Sequence, residues 1–471
     1  MKKLTRIVCT TVATVALLAI GGCNKTYTKE FESYYLQIGN NELEYENQDC
    51  ATVNFMVTDN GAISNAVPSG SNLDGFKPCR VDAENPNRII SDWTDVKGGT
   101  MPFTGTASDG LTLYPIWSDC TVYSDRTPVG YWDGSDTSSK PEEWSNETAP
   151  ETCSKYYKYH LKDSSCMLVD FNDTYEDTDV IEMTVEMSVN KLYLIGVEET
   201  TFETKIKINA RSTELHIYMD NMLMESRSGQ PVIDTSSVNF EVVTIEAAGN
   251  CALTGRGNSA IVGDIIAITG RNGTYTITGG DCAGDKIYSG IDCNRVNINN
   301  TKVIVKGGTG FQPKPVDQAS DGNDGAPGHT GGTGGHAITV NNQLELFNCT
   351  LSLNGGKGGK GGTGGQGNNR EGWWNNLTSS QASNGGAGGT GGTGGSMLNV
   401  TNNVAIKLNR NDVVINGAGG AGGDGGAGGA GGGIKNPGQT GASGAVGQAG
   451  LSAKLIKKVE EKQVDKEGNI I

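Results

Sequence analysis

The chain has 471 residues and a mass of 49.3 kDa, enough for roughly two to four domains with real cores. Its net charge is −16 and it holds only four histidines. A chain this acidic, without a basic cluster, lacks the phosphate-neutralising charge that nucleic-acid binding needs, and it has little material for a His-based metal centre. Glycine is the dominant departure: 70 residues, about twice an average share. Only 15 glycines fall in residues 1–250 and 55 follow, while charge is −19 before residue 250 and +3 after it.

The N-terminus opens with a basic Met1-Lys2-Lys3-Leu4-Thr5-Arg6, continues through an apolar run to Ile20 and reaches Gly21-Gly22-Cys23. This reads as a secretory signal, too short for a comfortable membrane span. Ile20-Gly21-Gly22-Cys23 resembles a bacterial lipobox. The resemblance implies removal of residues 1–22, acylation of Cys23, and a mature protein held to the membrane there and otherwise soluble. Several acyl chains anchor stably, because each buried methylene contributes about 0.8 kcal/mol. Asn24, where an Asp would retain the protein, implies by the same resemblance an outer-membrane, surface-exposed location; residues 23–50 are expected to be the anchor linker. With Cys9 lost and Cys23 acylated, nine cysteines remain: Cys50, Cys79, Cys120, Cys153, Cys166, Cys251, Cys282, Cys293 and Cys349. None forms a C-x-x-C pair. Export permits disulfides, and an odd number leaves at least one thiol free.

Residues 51–118 carry strand-like alternation at Val53–Val57, then Ile89-Ile90-Ser91-Asp92-Trp93, Phe103, and Asp109-Gly110-Leu111-Thr112-Leu113-Tyr114-Pro115-Ile116-Trp117. The closing run resembles the ending of the internalin-type B-repeat (the Listeria–Bacteroides repeat), with Trp93 and Phe103 at that family's aromatic positions; Ile90 and Asp92 depart from its pattern. The resemblance implies a small β-grasp-like surface module with a spacer or adhesion role. Trp93, Phe103, Tyr114 and Trp117 are its expected core. Residues 119–190 are acidic and aromatic (Trp132, Trp144, Tyr156, Tyr157, Tyr159), and read as a connector or small β module whose aromatics either bind sugar or form a modest core.

From Lys191 to about residue 453 short alternating strands recur in threes, such as Gly290–Asp292, Val296–Ile298 and Val303–Lys306. Three short strands per turn with no helical period predict a parallel β-helix whose rungs bury one face through their neighbours. A two-sheet sandwich is the alternative. Asparagine pairs 299–300, 341–342 and 402–403 suit tight left-handed corners. The run from Thr274 to Gly308 also resembles right-handed β-helix proteins that bind acidic polysaccharides. Between rungs lie glycine insertions at 306–335, 355–396 and 417–450. The second rises as GGKGGKGGTGGQ and returns as GGAGGTGGTGGS. A period of three is that of polyproline II, and twelve such residues reach roughly 37 Å. Glycine lets these arms pack side by side; flexible linkers are the rival reading. Matched arm lengths resemble the polyglycine-II sandwiches of phage adhesins and mycobacterial cell-wall proteins, whose distal tips carry recognition. The expected fold is therefore all-β, a β-grasp-like repeat domain plus a right-handed parallel β-helix carrying polyglycine-II hairpin insertions, closed by a charged tail at 454–471.

No catalytic fingerprint stands out. Asp281, Asp285 and Asp292 lie near one rung boundary, and their oxygens suit calcium as a candidate cofactor; solvated turn carboxylates are the alternative. Lyase or hydrolase chemistry on a β-helix needs paired carboxylates, whereas Asp264, Asp292 and Glu345 are isolated in sequence. The sharper candidate is the second tip, where Trp373 and Trp374, flanked by Arg370, Asn375 and Asn376, offer flat faces to sugar rings. The alternative is that they fold back on the glycine layer. The expectation is a non-catalytic adhesion or glycan-binding protein that partners a glycan or host-surface polymer; the alternatives are a polysaccharide-active enzyme and a structural surface protein.

Overall fold

A computed structural model describes residues 27–58, 61–82, 84–125, 128, 130–131, 155–171, 179–186, 188–197, 199–208, 214–226, 229–236, 242–319, 323–368, 383–400, 403–432, 438–464 and 470. Among them there is no helix, and the chain is all-β. Residues 34–456 form one compact unit; residues up to 33 together with those from 457 form another.

The larger unit is built on a parallel β-helix. The rung Ile291–Lys306 pairs with Ile338–Asn354 through three segments, at Ile291↔Ile338, Ile298↔Leu346 and Val305↔Leu353. Parallel pairing of this kind decides against the sandwich. Inward side chains stack in columns: Leu192, Ile217, Ile245, Ile268, Ile298, Leu346 and Leu408 pair in succession, all fully buried. Each such burial stabilises by about 1.5–3 kcal/mol. The ladder begins before Lys191. Lys155–Leu161 pairs with Val180–Val185 and that strand with Thr201–Ile208, while Cys166–Asp170 pairs with Lys191–Ile195. Much of the expected connector thus supplies the first rungs, with Tyr157, Tyr159 and Phe171 in the core; Trp132 and Trp144 lie outside the described residues.

The glycine insertions arise from one corner of this coil. In Thr201–Ile208 the third segment of one turn runs straight into the first of the next. Later the chain leaves at that point and returns, over 226–232, 255–260 and 279–290, then over 307–337 and 355–397. At another corner Asn300 takes a left-handed conformation (φ 48°), joined by Asn221 (49°) and Asn348 (44°); Asn341 and Asn342 do not. Asn348 Nδ2 donates to Asn300 Oδ1 at 3.0 Å, so the corner is a side-chain ladder as well.

Residues 50–119 form a separate four-stranded sheet in the order Gly61–Pro68, Cys50–Thr58, Thr112–Asp119, Arg88–Thr94. The central pair is parallel and the outer pairs antiparallel, a β-grasp-like order. Trp93 is its core: fully buried, edge-on to Phe55 at 4.8 Å, with Nε1 donating to Pro78 O at 3.0 Å. Phe103 and Trp117 pack at the margin, and Tyr114 falls outside the cluster because its neighbour Leu113 takes the inward position.

This sheet packs on the outside of the β-helix, where outward positions are apolar rather than polar. Leu168, Tyr193 and Tyr218 cluster with Cys79 and Ile89, and Phe347 joins the sheet's core beside Phe76. Among these apolar residues Glu246 is 1% exposed. It accepts from Cys79 N and Arg80 Nη1, both at 2.6 Å, and lies 3.2 Å from His216 Nε2. Burial alone would push its carboxyl up, but His216 and Arg80 together hold it below the ordinary value. A Cys120–Cys166 disulfide ties the end of the sheet to the second rung; Cys50, Cys79, Cys251, Cys282, Cys293 and Cys349 are free thiols.

Residues 34–47, expected within the anchor linker, cap the last rung. Leu36, Ile38 and Tyr45 enter the β-helix core, and Glu46–Asn47 adds a parallel strand beside Lys407–Leu408. In the smaller unit, Lys457 pairs with Glu32, and Phe31 has Lys29 and Lys462 nitrogens each 5.7 Å from its ring. The tail includes the strand Ala453–Val464.

Candidate functional site

The glycine insertions form a hydrogen-bonded bundle of six extended arms, neither helix nor strand. Arms 308–319, 355–367 and 419–432 lie side by side and parallel, and arms 323–335, 384–395 and 438–450 make a second, antiparallel row against them. In the central arm both glycines of each triplet are donors. Gly358, Gly361 and Gly364 donate to Ala421, Asp424 and Ala427 in the same row; Gly359, Gly362 and Gly365 donate to Gly332, His329 and Ala326 in the other, at 2.8–3.0 Å. The third residue of the triplet points outward, as with exposed Lys357 and Lys360.

The reason for glycine is steric. A Cβ at Gly359 or Gly392 would approach a neighbouring arm's carbonyl oxygen closer than 3.0 Å. Arms 355–367, 384–395 and 419–432, each bonded to three or more others, keep two glycines per triplet. At the edge arm 438–450 only Gly438, Gly441, Gly444, Gly447 and Gly450 recur, and the residues between them are exposed. The first arm is an edge too. It reads on sequence as turning at Phe311-Gln312-Pro313, yet it continues to residue 319, with Val316 N and Ala319 N donating to Thr363 O and Gln366 O.

The arms bring their tips to one end: Asn323 bridges Asn368, and Gly432 N donates to Ser383 O. Residues 369–382, with Arg370, Trp373, Trp374, Asn375 and Asn376, span from Asn368 to Ser383 and lie outside the described residues, as does Cys23. Asp281 and Asp285 are exposed in the corner segment 279–290, whereas Asp292 is half-buried on its rung and burial raises its carboxyl pKa. Among the described residues no three His, Cys, Asp or Glu side chains gather to hold a metal ion. Asp264 and Glu345 are tied into the rungs: Asp264 accepts from Asn294 Nδ2 at 2.9 Å, Glu345 from Asn297 Nδ2 at 3.1 Å and Gln343 Nε2 at 2.6 Å.

A feature that the sequence does not announce is a cleft of about 580 Å³ between the hairpin Cys50–Pro68 and the asparagine corner, lined by Ser64, Asn300, Lys302, Asn348, Thr350 and Asp412 among others. Asn300 is fixed there by Ala66, whose N–H donates to Oδ1 at 2.9 Å and whose carbonyl accepts from Nδ2 at 3.2 Å. Residues more than 200 apart in sequence make this contact, so no local pattern encodes it. No protein family, curated protein or solved structure matches the chain.

Proposed function

We propose that the chain is a lipoprotein anchored through Cys23 at the bacterial surface, where it acts as a non-catalytic adhesion scaffold that binds glycans. Residues 51–118 serve as a B-repeat-like adhesion module on the side of the β-helix, and the polyglycine-II-like bundle presents its tips to the ligand. The observation that carries this reading is the inter-arm hydrogen bonding. Arms locked on several sides fix the positions of the arm ends Asn368, Ser383, Gly432 and Gly438 from which the tips spring, which lowers the ordering cost of binding. The aromatic pair Trp373-Trp374 on the second tip supplies the faces for sugar rings. Glycan-array binding of the full chain against the double variant Trp373→Ala/Trp374→Ala tests it: loss of signal is expected, and unchanged binding removes the tips from the account.

A further inference from the structure

Two lysines on the rung Ile291–Lys306 are followed by two more on the central arm, which lies beside the arm that this rung leads into. Lys302 pairs across with Thr350 and then Val414, and Lys306 with Asn354 and then Ala418. Beyond the rung the same neighbours stay bonded: Gly307 N donates to Asn354 O, Gly310 N to Lys357 O and Gly358 N to Ala421 O. Lys302, Lys306, Lys357 and Lys360 are all exposed along this run. Lys357 pairs with Asp424 at 3.1 Å, and the other three make no ion pair among the described residues. Four residues of strand separate Lys302 from Lys306, about 13 Å. Three of extended arm separate Lys357 from Lys360, about 9 Å. In a chain of net charge −16, this is a local reversal of sign. At its lower end the run opens into the cleft of about 580 Å³, which Lys302 and Thr350 help to line.

We infer that this lysine run and the adjoining cleft form a second binding surface for a linear anionic polysaccharide, one bearing carboxylates or sulfates along its length. The inference rests on the glycan-binding reading above and places it at a surface separate from the arm tips. Spaced single cations suit a polymer with spaced single anions. On the strands beside the lysines stand the hydroxyl and amide side chains of Thr350, Ser352, Asn354 and Asn416, which match the hydroxyls of a sugar chain, with Ile304 and exposed Val414 as the apolar members of the same face. Nucleic acid fits less well: the run has no aromatic ring for base stacking, and the arginine that lines the cleft, Arg80, is already held by Glu246 at 2.6 Å.

The test is equilibrium binding of the full chain to polygalacturonate, with neutral dextran and single-stranded DNA as comparators, at low and raised salt. The full chain is expected to bind polygalacturonate over dextran, more weakly as salt rises. The variant K302Q/K306Q/K357Q/K360Q is expected to lose at least about tenfold in affinity with its melting temperature unchanged, since a tenfold loss is only ~1.4 kcal/mol spread over four exposed contacts. Trp373→Ala/Trp374→Ala is expected to keep polygalacturonate binding, which separates failure of the tips from failure of this surface. Equal affinity of the quadruple variant and the parent, absence of polygalacturonate binding at low salt, or preference for DNA would each overturn the inference.

Discussion

Substituting Gly359 by Ala tests the packing of the arms at its tightest point. The added methyl is directed at the carbonyl of Phe311 in the first arm and lies 2.8 Å from Gly310 O. Backbone of a neighbouring arm cannot rotate away as a side chain does, so the arms must separate. Pushing Gly359 off the first arm displaces its own peptide groups and so endangers the bond from Gly359 N to Gly332 O and that from Gly392 N to Gly359 O, both 2.8 Å. At about 0.5–1.5 kcal/mol per bond, plus roughly 1–3 kcal/mol for overpacking, local opening becomes easier by about 2–6 kcal/mol. Hydrogen exchange reads this directly, since each 1.4 kcal/mol is about tenfold in rate. Amides of 355–367 and 384–395 should exchange at least about thirtyfold faster in the variant. Those of the rung Ile291–Lys306 should be unchanged, as should the arms when Val446, exposed on the edge arm, becomes Ala. Unprotected arm amides in the parent chain, or full protection in Gly359→Ala, would refute the reasoning.

Three further outcomes are expected. Replacing Cys120 and Cys166 by Ser opens a loop of sequence separation 46, lowering stability in denaturant titrations by up to about 4 kcal/mol on loop-entropy grounds. Reductant should reproduce the loss in the parent and have no such effect in the variant. Glu246 is held below its ordinary value in the folded chain, so its contribution is present above the unfolded carboxyl value and is lost as pH falls through the folded one. Limited proteolysis at the boundary between the sheet 50–119 and the β-helix should accelerate on acidification, and Glu246→Gln should flatten that dependence; a parallel response of both chains contradicts it. Cys23→Ser should abolish metabolic labelling with palmitate, and label retained in the variant would place the lipid elsewhere.

The rungs were legible where inward and outward positions differ in kind. Ile298 and Leu346 face the core while Asn297 and Glu345 face out, which gives the period of two. Legibility fails where a second layer covers the outside: Leu168, Tyr193 and Tyr218 are apolar on the outward face because the sheet 50–119 packs there, so the alternation blurs. The first rungs were hidden for that reason, and because Tyr157 and Tyr159 interrupt the aliphatic pattern. The glycine phase was readable in arms bonded to three or more others. It faded at Phe311, Lys314 and Asp317, which stand in phase with Gly308 on an edge arm that tolerates side chains. The cleft and the Glu246 cluster depend on contacts over 160 residues or more, beyond any local signal.

The most direct measurement of the central claim is saturation binding of the full chain to a panel of polysaccharides, with the polymer recovered and sized afterwards. The account predicts saturable binding of at least one polymer, recovered at its original length. Binding to none, or recovery of shortened polymer, would contradict it.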